Sequence, residues 1–477
     1  SSDLGIRVAL GNHQYPLALK ITNNTIAKLT SSGNATMASF QYPIGILVED
    51  STIKAGIDII NNSVSLTGAT LVGSSAACLV TGTLTAGGIR VYNNIFSNRM
   101  QNLVGNATAY NTYAIAVTRN QTGTSPNFVV VHPFDSIDNN LYDVTTTGGW
   151  ANIGYTALNN YVSVAEWASY TLYDKGSFVT RPAFENDSTL VTSNGAGATY
   201  AALGKALLAT DIYGVARPAS GSSSVGAYQF TQNITNAYSA LVGGTTYFIN
   251  GVDNLPTNAN PTVGSFATYG SFVNHLNSFG TQGTGTINIV FATGFLLDAT
   301  VPPAILPYPG MLGTRGIKVT AASGVNVNLT IAAGQAICNN SAVIKLYGAS
   351  FFEIDGTDGN NGKAITISLP ASASAIQAKL IALVPTLMHP VSYTTVRNCT
   401  LTGSSSPTTV NTYAAVYMGA GNVAAGVGNA IGGANTNNFI GNNTIEAVRT
   451  GIYWRAKAEL TDQFLTIYRN VIGGTVT

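Results

Sequence analysis

The sequence predicts an all-β protein made of stacked, right-handed parallel β-helix coils, and three observations lead to this fold class. A short phrase built around paired asparagines recurs along the chain. The polar residues are mostly Asn, Ser and Thr together with 51 glycines, whereas the helix-favouring Glu and Lys are scarce. Hydrophobic residues nevertheless make up 45% of the chain, so a large core can be buried and disorder is not expected.

The recurring phrase has an Asn-Asn pair with an apolar residue, in most copies, two places before it and another two places after it. Asn tolerates the left-handed backbone region that a sharp turn between two strands requires. In stacked coils each Asn lies about 4.8 Å from the next, so we expect their amides to form a hydrogen-bonded ladder. The copies are ITNNTI, IINNSV, VYNNIF, IDNNLY, ALNNYV and IGNNTI, starting at Ile21, Ile59, Val91, Ile137, Ala157 and Ile440, with looser copies VRNCTL and IYRNVI starting at Val396 and Ile467.

The spacing between copies is uneven, from about 20 to nearly 50 residues. Such spacing is compatible with one or two coils of roughly 20–25 residues with loops inserted at one corner. A propeller or a leucine-rich array would keep its period better. The repeat therefore indicates a solenoid of variable coil length.

Charge and cysteine content exclude several classes of protein. The chain carries 21 basic and 20 acidic side chains, so no basic stripe for nucleic acid is expected. No run of about 18 apolar residues is present, so no membrane span is predicted. The opening residues SSDLGIRVAL lack the features of a signal peptide, as a mature or internal fragment would. Cys78, Cys338 and Cys399 are far apart and odd in number, and we expect buried core thiols in preference to a disulfide or a metal site.

The chain is predicted to hold parts of two solenoids. Residues 1–230 form the C-terminal part of the first, 231–264 a junction, and 265–477 a cap helix with the N-terminal part of the second. The helix is predicted over 265–280, with Ser265 as N-cap and Gly280 as C-cap, and it is the only amphipathic helix that the sequence indicates. Such a helix would cover the apolar end of a solenoid and its unpaired strands. Its apolar residues at helical spacing are Phe266, Tyr269, Phe272, Val273 and Leu276.

Residues 204–230 carry a resemblance to a known family. Asp211, Gly214 and Arg217, followed by Val-Gly-Ala-Tyr ending at Tyr228, resemble the closing segment of pectate-lyase-like β-helix modules in giant Bacteroidota surface adhesins. A cap helix followed by NIVFATG and FFEIDG is similar to the opening of such modules. The resemblance implies a tandem parallel β-helix in a secreted structural and adhesive protein, exported by the type IX system to the surface of a Gram-negative bacterium.

The same resemblance implies the partners. They are surface or polysaccharide ligands, neighbouring modules of the same chain, and outer-membrane export or attachment proteins. The motifs that carry the resemblance include no catalytic signature, and we expect neither catalytic residues nor a cofactor. The charge and the hydropathy of the chain argue against a nucleic-acid partner and a membrane span.

Two alternatives stay open. One is a polysaccharide lyase or a glycoside hydrolase on a β-helix scaffold, and a hydrolase needs carboxylates about 5–9 Å apart. No acidic residue recurs at one phase of the Asn-Asn phrase, because Asp58 and Asp138 lie at different phases. The other alternative is a phage tail-spike or surface-layer fibre, which shares the solenoid but usually forms trimers.

Few residues suggest a specific site. Asp355 and Asp358, in FFEIDGTDGNNGK, are candidate Ca²⁺ ligands, although a turn between strands also explains them. Ser51, Ser136 and Ser188 each follow an Asp in a pattern that resembles Bacteroidota O-glycan acceptor sites. The four histidines, for which we expect structural roles because they lack metal-ligand spacing, are His13, His132, His275 and His389.

Overall fold

A computed structural model provides the architecture of the chain, and the described residues are mostly β-strands in parallel sheets. This confirms the all-β fold class. The structure describes part of the chain in several ranges. These are 4–10, 19–29, 43–50, 56–70, 74–81, 88–102, 111–118, 121–122, 129–130, 132–146, 150–156, 159–179, 181–182, 184, 188, 190–191, 199–201, 207–218, 222–229, 238–257, 259–299, 301–308, 310–330, 342–357, 362–369, 378–386, 389–404, 412–419, 435–455 and 463–473.

The chain divides into two compact units, with the main boundary between Ala237 and Tyr238. In chain order, the elements of the first unit are β1 (Leu4–Leu10), β2 (Leu19–Thr22), β3 (Thr25–Ala27), β4 (Ile44–Asp50), β5 (Ile57–Ile60), β6 (Ser63–Thr70), β7 (Ser75–Thr81), β8 (Ile89–Tyr92), β9 (Ile95–Asn102), β10 (Asn111–Thr118), β11 (Gln121–Thr122), β12 (Val129–Val130), β13 (Phe134–Asp138), β14 (Leu141–Val144), β15 (Trp150–Tyr155), β16 (Asn160–Tyr161), α1 (Val164–Thr171), β17 (Phe178–Val179), β18 (Thr199–Ala201) and β19 (Ser222–Ser224). They form three larger sheets and two small hairpins, β11–β12 and β18–β19.

Along the chain of the first unit, successive strands belong in turn to each of the three larger sheets. Their orders are β1-β4-β7-β10-β15-β16, β13-β8-β5-β2 and β17-β14-β9-β6-β3. Each of the first seven strands therefore pairs in parallel with the strand three places further on. We call three successive strands of these sheets, one from each sheet, a triplet. Their buried apolar side chains are mostly isoleucine, leucine and valine, which suit a buried pleated surface.

Asparagine makes the corner between the second and third strand of each triplet. The first Asn of the pair has a positive φ of 53–56° at Asn23, Asn61, Asn93 and Asn139, which confirms the predicted left-handed turn. The copy ALNNYV is different: its first two residues lie outside the described range, and Asn159 closes a tight turn with Thr156 between the antiparallel strands β15 and β16. The prediction of a coil corner at this copy was wrong.

Helix α1 follows the last complete triplet of the first unit and was not predicted. Ser163 is its N-cap, accepting a hydrogen bond from the backbone of Glu166. Trp167 is fully buried against the rings of Phe134 and Tyr161, at centroid distances of 6.1 and 5.6 Å. The helix therefore covers the apolar side chains of this triplet. The expectation of only one amphipathic helix was wrong, because two turns are too short to show a clear helical period.

Residues 207–218 and 222–229 contact the asparagine corners of three successive triplets. The side chain of Asn23 donates to the carbonyl of Thr210 at 2.9 Å, and that of Asn61 donates to the carbonyl of Gly226 at 3.2 Å. The backbone N–H of Gly226 donates to the carbonyl of Asn93 at 2.7 Å. The segment expected to close the first solenoid thus lies along its corner, whereas α1 lies after the last triplet.

The second unit has the same rotation of strands through three sheets. In chain order its elements are β20 (Leu241–Val242), β21 (Thr246–Ile249), β22 (Ser265–Phe266), α2 (Tyr269–Phe279), β23 (Thr281–Gln282), β24 (Ile287–Phe291), a 3-10 turn (Gly313–Arg315), β25 (Ile317–Ala321), β26 (Val327–Leu329), β27 (Ala342–Tyr347), β28 (Phe352–Asp355), β29 (Ile365–Ser368), β30 (Ala378–Val384), β31 (Thr395–Arg397), β32 (Thr400–Thr402), β33 (Thr412–Met418), β34 (Phe439–Gly441), β35 (Thr444–Glu446), β36 (Thr450–Trp454), β37 (Thr466–Tyr468) and β38 (Val471–Ile472). The sheets have the orders β22-β21-β24-β25-β28-β31-β34-β37, β26-β29-β32-β35-β38 and β27-β30-β33-β36, and β20 pairs with β23.

The second unit begins before the predicted helix. Strand β21 lies within residues predicted as a junction, yet it pairs in parallel with β24 in the eight-stranded sheet. The N-cap of α2 is Thr268, not Ser265, which lies in β22; Thr268 and Ser271 form a capping box. The predicted C-cap Gly280 is confirmed. The buried side of α2 packs Phe272, among others, into the core of this unit.

Candidate functional site

A ladder of asparagine side chains runs through the interior of the first unit. The amide of Asn24 donates to the side-chain oxygen of Asn62 at 2.9 Å, Asn62 to Asn94 at 3.0 Å, and Asn94 to Asn140 at 3.0 Å. The same oxygens accept the backbone N–H groups of the preceding triplet at 2.9–3.1 Å. The predicted ladder is therefore confirmed, and it satisfies polar groups that would otherwise be buried without partners.

The ladder ends in a buried carboxyl group. The backbone of Asn140 donates to the hydroxyl of Ser177 at 2.7 Å, and this hydroxyl donates to Asp174. The hydroxyl of Tyr142 donates to the other carboxyl oxygen of Asp174 at 2.7 Å. Burial raises the pKa of Asp174 to about 7, although the hydrogen bonds from Ser177 and Tyr142 oppose the rise. This carboxyl group therefore changes its charge near neutral pH.

The corresponding corner of the second unit repeats the ladder. The amide of Asn443 donates to the side chain of Asn470 at 2.9 Å, and the backbone of Cys399 donates to Asn443 at 3.0 Å. The left-handed positions beside them are Asn398, Asn442 and Arg469. The looser sequence copies thus occupy the same corner, with Cys399 replacing the second asparagine of its pair.

The outer face of the eight-stranded sheet carries a network of four charged side chains. Lys318 on β25 contacts Glu353 and Asp355 on β28, at 3.2 and 3.0 Å. Arg397 on β31 contacts the same two carboxylates at 2.7 and 2.9 Å. The two cations and the two anions balance each other. The network joins three adjacent strands of the sheet.

The candidate Ca²⁺ ligand Asp355 belongs to this network. Burial alone would raise its pKa, but hydrogen bonds from Asn398, Lys318 and Thr357 outweigh that effect and lower the pKa to about 2. Its oxygens therefore accept hydrogen bonds and ion pairs from the protein itself. The second candidate, Asp358, lies outside the described residues, and the calcium site stays a prediction. Among the described side chains, no group of three or more His, Cys, Asp or Glu could hold a metal ion.

Acidic residues of the first unit also have partners within the protein. Asp58 on β5 forms a bidentate pair with Arg90 on β8, with both distances 2.7 Å. Asp143 accepts the hydroxyl of Ser97 at 2.7 Å. Asp138 accepts backbone N–H groups of the following residue and of Gly176. The contacts of Asp58 with Arg90 and of Asp143 with Ser97 join neighbouring triplets.

Two predicted O-glycan acceptors are described. Ser136 lies half-buried in β13, in register with Arg90 of β8, and Ser188 is exposed in a turn. Ser51 lies outside the described residues. Glycosylation at all three stays a prediction.

The described cysteines and histidines have structural surroundings. Cys78 and Cys399 are buried free thiols, as predicted, and burial raises the pKa of each to about 12. His275 lies buried on α2, and its Nε2 is 2.8 Å from the carbonyl oxygen of Ser239. Burial lowers the pKa of His275 to about 4, so the ring is neutral near pH 7 and Nε2 donates to this carbonyl. Cys338 and His13 lie outside the described residues.

One corner of the eight-stranded sheet exposes large aromatic side chains. Tyr393 is 52% exposed and Phe464 is 71% exposed. The ring of Tyr393 stacks on Phe351, with centroids 5.1 Å apart and an interplanar angle of 19°. No signal in the sequence analysis identified this corner. The candidate functional surface is therefore the outer face of this sheet with its aromatic corner.

Comparison with known proteins adds no assignment, since no family model, curated protein or solved structure matches the chain. None of the described helices is long and apolar enough to cross a lipid bilayer.

Proposed function

We propose that the chain is a non-catalytic, structural and adhesive segment of a very large secreted bacterial surface protein. It extends from the cell and contacts surfaces or polysaccharides. One observation carries the proposal: consecutive strands rotate through three sheets, and each pairs in parallel with its counterpart in the next triplet. A right-handed parallel β-helix in each unit accounts for this order, and a solenoid of that kind lengthens by adding coils.

The interior ladder supports a stiff segment. Asn62 and Asn94 each bind the triplets on both sides, through their own amide and through their accepting oxygen. Sliding one triplet past the next would break several buried hydrogen bonds at once, and each buried unsatisfied group costs about 1–3 kcal/mol. Such a ladder suits a protein that transmits force.

The charged network supports contact rather than chemistry. Glu353 and Asp355 are held by Lys318 and Arg397, and Asp355 has a pKa far below neutral pH. A general acid works best with a pKa near the working pH. A balanced network is suited to an outer surface that meets uncharged ligands.

The cellular setting is part of the proposal and rests on the resemblance of the closing and opening segments. In that setting the chain lies at the surface of a Gram-negative bacterium and leaves the cell through the type IX system. Its partners are neighbouring modules of the same chain, export or attachment proteins of the outer membrane, and extracellular polysaccharides.

Adhesion under flow tests the proposal. Beads coated with the folded chain are placed on polysaccharide films, and the shear that detaches half of them is measured. We expect a higher shear than for beads coated with the denatured chain or with albumin. A detachment shear equal to that of the two controls on every film would contradict an adhesive role.

A further inference from the structure

A column of four corner residues precedes successive strands of the eight-stranded sheet. The column consists of Phe351, Tyr393, Asn437 and Phe464. All four have a positive φ, between 53 and 61°. The backbone N–H of Phe351, Tyr393 and Asn437 each donates to the carbonyl that precedes the next member, at 2.9–3.1 Å. The four residues are therefore equivalent positions of successive triplets.

The aromatic members of this column do not suit the backbone they occupy. The left-handed region favours Gly and Asn, as at Asn437, whereas a bulky residue there is an outlier. Tyr393 is also 52% exposed, so core packing does not explain it. Residues held in such conformations concentrate at functional sites. We infer that the exposed rings contact a ligand.

The spacing of the column fits a single sugar ring. Neighbouring strands of a sheet are about 4.8 Å apart, so the backbones of Tyr393 and Phe464 lie about 10 Å apart, with Asn437 between them. A ring packed between two aromatic side chains needs two contacts of about 4.5–5 Å each. Phe351 stacks behind Tyr393 and supports it. The amide of Asn437 offers both donors and an acceptor to hydroxyl groups.

The chemistry of the surroundings selects the ligand. The C–H face of a pyranose carries partial positive charge and suits the negative face of an aromatic ring. The nearby cation Arg397 is paired with Glu353 and Asp355, so Arg397 offers no uncompensated charge to an acidic sugar. We propose that Tyr393, Asn437 and Phe464 bind one hexopyranose ring of a neutral polysaccharide, an inference that rests on the proposed adhesive function.

Replacing each exposed aromatic residue by Asn, which the column already contains at Asn437, tests this proposal. Tyr393→Asn and Phe464→Asn remove the rings and relieve the backbone, so we expect unfolding midpoints equal to or above the wild type. Binding of cellohexaose, maltohexaose and mannohexaose to the full chain is measured by titration calorimetry. We expect each variant to weaken the binding of the preferred hexasaccharide at least tenfold.

The matched control is Phe248→Thr. Phe248 is 43% exposed on β21 and is the register partner of Val290 on β24, which in turn is the register partner of Thr320 on β25. Thr is therefore a residue that this position of the sheet already contains. This variant should keep wild-type affinity. Unchanged affinity in both asparagine variants, or no binding of any hexasaccharide by the wild type, would overturn the site. If beads carrying Tyr393→Asn still adhere like the wild type, the site fails while the adhesive function stands; if wild-type beads do not adhere, the function itself fails.

Discussion

The side-chain amide of Asn62 donates to the side-chain oxygen of Asn94 at 3.0 Å, and the backbone N–H of Asn62 donates to the same oxygen at 2.9 Å. Asn94 in turn donates to the carbonyl of Ile59 at 2.8 Å. We predict that Asn94→Ala lowers the free energy of unfolding by about 3 kcal/mol, because it leaves several buried groups without partners. Denaturant titration followed by circular dichroism measures the loss.

Asn24→Ala provides the matched control for the ladder. Asn24 is only half-buried and donates to Asn62 without receiving a ladder bond from a described residue. We expect a loss of about 1 kcal/mol. Equal losses at both positions would show that the interior rung is not special.

The buried carboxyl of Asp174 predicts a loss of stability at high pH. Its folded-state pKa of about 7 lies above the ordinary value of 3.8, so between these values the folded state holds a proton that the unfolded state has released. The stabilisation is fully present below about pH 4 and disappears as pH rises through 7, and it amounts to at most about 4 kcal/mol. Unfolding midpoints at pH 5 and pH 8 should differ more in the wild type than in Asp174→Asn. An identical difference in both proteins would contradict the raised pKa.

His275 predicts the opposite pH dependence for the second unit. Burial lowers its pKa from 6.5 to about 4, so on acidification the unfolded state takes up a proton that the folded state refuses. Stability should fall as the pH decreases from about 6.5 to 4, by at most about 3 kcal/mol from this residue. His275→Gln keeps a donor for the carbonyl of Ser239 and should reduce the loss between pH 7 and 4.5. A wild-type loss that the variant does not reduce would refute this source of acid sensitivity.

The burial of Trp167 indicates how much helix α1 contributes to the stability of the first unit. Replacing this fully buried side chain by Ala should lower the free energy of unfolding by about 3–5 kcal/mol. Gly154→Ala should also destabilise, since its new Cβ would lie 2.1 Å from Cε3 of Trp167. The exposed neighbour Leu172 is the control, and its replacement by Ala should change stability by less than about 0.5 kcal/mol. Thermal unfolding compares the three variants.

The asparagine corners could be predicted because a local conformation and a stacking interaction favour the same residue. At Asn93 the backbone needs the left-handed region, and at Asn94 the interior needs a group that both donates and accepts. The turn at Asn159 has the same letters, but there the chain reverses into an antiparallel strand, which local sequence does not specify. Helix α1 was not predicted because its burial depends on the open end of a triplet, whereas its own apolar residues show little helical periodicity.

The candidate surface could be predicted only in part. The acidic group around Glu353 and Asp355 is visible in the sequence, but its cations are distant: 37 residues separate Lys318 from Asp355, and 44 separate Arg397 from Glu353. The register of parallel strands brings them together, and register does not follow from composition. The left-handed backbone of Tyr393 was equally hidden, because aromatic residues rarely adopt it.

The central claim is that this chain binds polysaccharides without transforming them. Its most direct test incubates the folded chain with insoluble neutral polysaccharides and with polyuronates, and measures both the bound protein and the new chain ends in solution. We expect saturable binding to at least one neutral polymer, with no new reducing or unsaturated ends above a protein-free control. Release of such ends, abolished by substitution of a carboxylate, would contradict it and indicate a lyase or a hydrolase.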